Sequence, residues 1–96
     1  MHNLSNLLRK LAVVTQHIAA MQNQAVAYYL ASQLKSAAMF KAVDYVDIAD
    51  TVADYLSTAT PDDFCPEDID RLHVIGITLR QANQYLQDTQ DQILAA

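Results

Sequence analysis

The residues of this sequence best able to do chemistry are nine carboxylates crowded between positions 44 and 70. No lysine or arginine interrupts them, so this segment has a formal charge of −9. Residues 1–43 carry four bases and no acid, and residues 71–96 are neutral. Clustered carboxylates can hold a divalent metal, pair with bases, or present a charged surface to a partner. The nine are Asp44, Asp47, Asp50, Asp54, Asp62, Asp63, Glu67, Asp68 and Asp70.

A metal-dependent enzyme would need carboxylates that converge from different helices. The nearest pattern is Glu67, Asp70 and His73 at spacings of three, and it occurs once. Glu67 also has an ordinary place as an acid in the first turn of a helix. With one glycine in the chain there is no phosphate loop and no glycine-flanked serine nucleophile. We therefore expect no catalytic, metal or cofactor site and no enzyme, and a metal-dependent helical hydrolase is only the third hypothesis.

Four aspartates share one face of a predicted helix, because at 100° per residue Asp44, Asp47, Asp50 and Asp54 fall within an arc of about 120°. Like charges three and four residues apart repel by a few tenths of a kcal/mol each, and Asp is a weaker helix former than Glu. Asp44 has a local role as a helix cap, whereas the other three have none. The predicted partner-binding residues are therefore Asp47, Asp50, Asp54, Asp44, Tyr55 and Tyr29, the two tyrosines lying off the main apolar stripes.

Three interpretations of this acidic face remain open. The first is that the face only keeps the helix solvated. The second is that it pairs with basic residues of the same or a second copy, namely Arg9, Lys10, Lys35 and Lys41. The third is that it meets a basic surface on another macromolecule. The leading hypothesis is the third, a small acidic inhibitor or adaptor that engages, for example, a nucleic-acid-binding protein. Direct nucleic-acid binding is disfavoured, because the four bases of the positive half do not cluster.

The elements that must position these residues are helices. Apolar residues at heptad spacing predict helix one over about 4–40, helix two over about 44–58 and helix three over about 66–94. The first break is expected at 41–44, with a competing turn at 32–36, and the second in the proline-containing segment 57–66. The prediction is a single all-α domain, 1–96, forming an elongated up-down-up bundle. The wide apolar face of helix one, which includes Tyr28, suggests the alternative of a homodimeric structural or chaperone-like module, packed as a coiled coil.

Composition sets the remaining limits. One glycine and two prolines are too few for the turns of a sandwich or an α/β fold. A single cysteine, Cys65, no recognisable secretion signal and no apolar run of membrane-spanning length favour a cytoplasmic protein without membrane contact. We expect Cys65 to be an unreactive thiol and Tyr28 and Tyr45 to be core residues. Gly76 is expected to mark a close crossing where a neighbouring helix needs the missing side chain.

Overall fold

The described part of the chain folds into four helices. The computed structural model describes the backbone of residues 2–37 and 42–95 and the side chains of residues 5–36 and 45–85. The helices are α1 (His2–Ala20), α2 (Gln24–Ala37), α3 (Ala42–Thr58) and α4 (Pro66–Ala95), and the described residues form no strand. The prediction of an all-α helical bundle is confirmed, with four helices in place of about three. None of the described helices is both long and apolar enough to cross a membrane.

The additional helix arises because the segment predicted as helix one, 4–40, divides at 21–23. Asn23 caps the second half: its side-chain Oδ1 accepts the N–H of Val26 at 3.1 Å, and its main-chain carbonyl accepts the N–H of Ala27 at 3.0 Å. The Nε2 of Gln24 donates to the carbonyl of Met21 at 3.2 Å. The competing turn at 32–36 is wrong, since α2 continues to Ala37. Residues 38–41 lie outside the described part of the chain, and α3 begins at Ala42, near the predicted start.

The bundle is organised around α4, which packs along both α1 and α3. Arg80 lies beside Asp50, and Gly76 beside Val52, so α4 runs antiparallel to α3. Helix α2 contacts α1 and α3 less extensively. The molecule measures 51 × 21 × 20 Å, in agreement with the predicted elongated shape. The most deeply buried apolar side chains come from all four helices: Val14, Met21, Leu30, Tyr45, Val52, Leu72, Ile75, Leu79 and Ala82.

The break at 21–23 also changes which tyrosine is buried. Tyr45 is fully buried, as predicted, but Tyr28 is 78% exposed and the prediction of a core position is wrong. Tyr28 continued the apolar stripe only if α1 and α2 were one straight helix. Because the chain changes direction at Asn23, Leu30 and Ala27 face the core and Tyr28 points away from it.

Gly76 lies where α4 packs against α3, but the prediction that the neighbouring helix needs the missing side chain is wrong. A methyl group built at this position would lie 3.5 Å from Cγ1 of Val52, which is an ordinary van der Waals distance. The packing therefore leaves room for a methyl group at position 76.

We predict that Gly76→Ala stabilises the protein by about 0.5–1 kcal/mol, because alanine is the better helix former and its methyl group fits. Gly76→Leu is the matched control, and its longer side chain would overpack the crossing at a cost of about 1–3 kcal/mol. Urea denaturation gives both values. A destabilised Gly76→Ala protein would show that α3 and α4 lie too close together at this position for a methyl group.

Candidate functional site

The acidic face of α3, defined as Asp47, Asp50 and Asp54, points away from the core. All three side chains are exposed, while Ile48 and Val52 on the opposite side of the helix are buried. The side chain of Asp44 lies outside the described residues, although its backbone belongs to the first turn of α3. The helical period predicts that the aspartates share one face and that some of them border the core edge, whereas the structure exposes all three described side chains.

One aspartate of the acidic face has an ion-pair partner. The Nη2 of Arg80 lies 3.2 Å from the Oδ1 of Asp50, and both side chains are more than half exposed. A surface pair of this kind contributes at most about 1 kcal/mol. Among the described side chains, neither Asp47 nor Asp54 forms an ion pair, and no acid pairs with Arg9, Lys10 or Lys35. Pairing with those bases of the same chain, one of the open interpretations, is therefore wrong for the described residues, whereas Lys41 lies outside them.

Tyr29 and Tyr55, the two predicted contact tyrosines, come close together where α2 meets α3. The ring of Tyr55 packs edge-on against Phe64, with centroids 6.0 Å apart and an interplanar angle of 75°. Burial, and secondarily the phenol of Tyr29, raise the pKa of Tyr55. Tyr29 is 47% exposed, and its hydroxyl accepts a hydrogen bond from Nε2 of Gln33 at 2.9 Å. Tyr55 thus contributes to packing, and Tyr29 is the more solvent-accessible of the two tyrosines.

The carboxylate with the most elaborate surroundings is Asp68, which sequence reasoning did not single out. It lies in the first turn of α4 and is 1% exposed. Its Oδ1 and Oδ2 accept the N–H of Gln22 at 2.9 and 3.1 Å, and Oδ2 accepts the N–H of Asn23 at 2.9 Å. The Nη1 of Arg71 donates to Oδ1 at 3.0 Å. Asp68 therefore links the start of α4 to the break between α1 and α2 through hydrogen bonds.

The pKa of Asp68 reflects two opposed effects. Burial of the carboxyl raises the pKa, while the N–H groups of Gln22 and Asn23, the guanidinium of Arg71 and the thiol of Cys65 stabilise the ionised form. The hydrogen bonds prevail, and the pKa is lowered below 3.8. Cys65 is half-buried and contributes a hydrogen bond to this carboxylate, so its contact in the structure is with Asp68.

Most of the other acids in 62–70 have local roles or remain solvated. The Oδ2 of Asp63 accepts hydrogen bonds from the backbone N–H and the hydroxyl of Thr60, which closes the turn after α3. Glu67, Asp70 and His73, the nearest pattern to a metal motif, are all exposed. Among the described residues, no three His, Cys, Asp or Glu side chains are close enough to hold a metal ion together.

Comparison with known proteins adds no family or fold relationship. No protein-family model matches the chain, and neither the curated proteins nor the solved structures give a match. The functional argument therefore depends on the geometry alone.

We predict that Asp68→Ala lowers the free energy of unfolding by about 3 kcal/mol, because it leaves the N–H groups of Gln22 and Asn23 and the charge of Arg71 without their acceptor. Asp70→Ala, an exposed acid on the same helix, should change it by less than about 0.5 kcal/mol. Urea denaturation followed by circular dichroism measures both. Equal effects of the two substitutions would contradict the role given to Asp68.

We also predict a pH dependence that belongs to Asp68. Because its pKa is lower in the folded state, its contribution to stability is fully present above the unfolded pKa of about 3.8 and declines as the pH falls through the folded pKa. In Asp68→Asn, the free energy of unfolding should fall less between pH 4.5 and about pH 2 than in the unaltered protein. Asp70→Asn is the control. If the free energy of unfolding fell as much at low pH in Asp68→Asn as in the unaltered protein, other carboxylates would be the cause of the acid sensitivity.

Proposed function

We propose that this chain is a non-enzymatic protein-binding module, a small acidic inhibitor or adaptor acting in the cytoplasm, that engages a basic surface of another protein through the acidic face of α3. The observation that supports this most is the exposure of Asp47, Asp50 and Asp54 on one side of α3, with an ion pair at Asp50 alone among them. Charges that contribute little to folding are available for a partner.

The cost of the acidic face to the folded state supports the same proposal. Asp54 follows Asp50 by four residues and Asp50 follows Asp47 by three, so adjacent members repel along the helix. Asp68 and Asp63, by contrast, are each satisfied by several donors from the chain itself. The acids that the fold uses are thus separate from those that it leaves in solvent.

The partner suited to this face is a basic protein surface. Carboxylates about 5–6 Å apart along a helix resemble the spacing of phosphates along a nucleic-acid strand, so the binding channel of a nucleic-acid-binding protein has complementary charge. Tyr29 provides an aromatic contact on the neighbouring helix, since it is 47% exposed and its ring carries a polar hydroxyl group. Association of this kind is fast at low ionic strength and weakens as salt screens the charges.

A homodimer through α1 is the less favoured alternative. Leu8 is 58% exposed, which supplies some apolar surface for such a contact. The described charged residues of α1 and α2 are all basic, namely Arg9, Lys10 and Lys35. Two copies joined through these helices would bring like charges together.

The proposal predicts that changing Asp47, Asp50 and Asp54 together to Asn abolishes salt-sensitive capture of a basic partner from lysate of the source cells. The tagged full-length chain is used as bait, and captured proteins are quantified by mass spectrometry at low and at about 0.5 M salt. The substitutions remove three of the eleven acids and leave the core untouched. The expected result is a loss of at least about tenfold in the captured partner.

The matched control changes Asp62, Glu67 and Asp70 to their amides. These three side chains are also exposed, and the net charge changes from −5 to −2 in both variants. Capture should survive in the control. Equal losses in the two variants would mean that overall charge, and not the face of α3, governs binding, and unchanged capture in both would refute the proposal.

A further inference from the structure

A groove of about 380 Å³ separates α1 from α2, away from the acidic face of α3. Ile18 and Tyr45, both buried, border its inner side. Its walls carry small and apolar side chains, because Ala19 on α1 and Ala31 on α2 leave space where larger residues would meet. The remaining lining residues are Leu11, Thr15, Leu34 and Lys35.

The groove has little polar character apart from one charged group. Among the described lining residues, only Thr15 and Tyr45 carry a hydroxyl group, and that of Thr15 donates to the carbonyl of Leu11 at 2.9 Å. Lys35 is the only charged residue among the described residues that line the groove. Its aliphatic stem can lie along the apolar wall while its ammonium remains in water at the edge. No acid occurs in α1 or α2, so no carboxylate on either wall competes for that ammonium.

The size of the groove distinguishes among occupants. Eight of the described residues line it, whereas a stable protein interface involves about 20–30 residues on each side. Its volume lies instead within the range of about 300–1,000 Å³ that is typical of small-molecule sites. Along α1 the lining extends from Leu11 to Ala19, a rise of about 12 Å, which suits a narrow chain.

We propose that this groove binds a small anionic amphiphile with one unbranched apolar tail and one carboxylate, of the medium-chain fatty acid class. The tail lies between α1 and α2, against Ile18 and Tyr45, and the carboxylate pairs with the ammonium of Lys35. Lys35 follows Asn23 by twelve residues, so the carboxylate lies about 18 Å along α2 from the α1–α2 break.

The test uses dodecanoate, below its micelle concentration, with the uniformly ¹⁵N-labelled full-length protein. We expect saturable shifts of amide resonances confined to residues lining α1, α2 and the start of α3. Octanoate should bind more weakly by about fourfold for each methylene group removed, because the tail is buried. Dodecyltrimethylammonium, which has the same tail and the opposite charge, should bind more weakly than dodecanoate.

Two pairs of variants locate the site. Lys35→Met should weaken dodecanoate binding by about two- to fivefold and remove the preference for the anion, whereas Lys10→Met, on a lysine that does not line the groove, should not. Ala31→Trp fills the groove and should abolish binding, whereas Ala53→Trp, at an exposed alanine of α3, should not. The confined amide shifts of the unaltered protein test the location even if Ala31→Trp reduces helicity.

Several results would overturn the proposal. They are no saturable dodecanoate binding, equal effects of Lys35→Met and Lys10→Met, or shifts spread over the whole bundle. A second copy of the chain in the groove would give a concentration-dependent dimer in sedimentation that Ala31→Trp dissociates without added ligand, and this too would refute it. The acidic face of α3 plays no part in dodecanoate binding. A failure of that face to capture a basic partner would therefore leave the groove proposal unaffected.

Discussion

The fold depends on one buried carboxylate, that of Asp68. A carboxylate is costly to remove from water unless donors surround it. Here the backbone donors come from residues 45 and 46 positions away in the sequence, in addition to the nearby side chains of Arg71 and Cys65. The N–H groups of Gln22 and Asn23 lie just before α2, and Asp68 itself lies in the first turn of α4. One negative charge thus stabilises the positive ends of two helices at once. The end of α1, the start of α2 and the start of α4 must therefore meet at one place.

The other features of the bundle follow from this meeting point. Because α4 begins where α1 ends, the two helices lie antiparallel and share a long contact, and α3 packs along α4 with Gly76 against Val52. Helix α2 is held at its start by Asn23 and packs inward through Leu30 and Ala27. A groove lined in part by Ala19 and Ala31 lies between α2 and α1.

The two groups of acids illustrate how tertiary structure assigns different roles to the same residue type. Asp68 is buried and its pKa is lowered, so it contributes to stability through ionised hydrogen bonds. Asp47 and Asp54 are exposed and form no ion pair among the described residues. Their contribution to folding is therefore small or unfavourable. The groove between α1 and α2, with Lys35 at its edge, is a separate surface of opposite charge.

The sequence by itself determined the all-α class, the segmentation of charge, the break before Pro66 and the position of Asp47, Asp50 and Asp54 on one face of a helix. These follow from composition and from the 100° period of a helix, which are local properties. Only the tertiary structure decided that the first long apolar stripe is two helices, that Tyr28 is exposed and that Asp68 is buried. The physical reason is that the break needs acceptors for the N–H groups of Gln22 and Asn23, and the carboxylate that accepts them lies more than forty residues further along the chain.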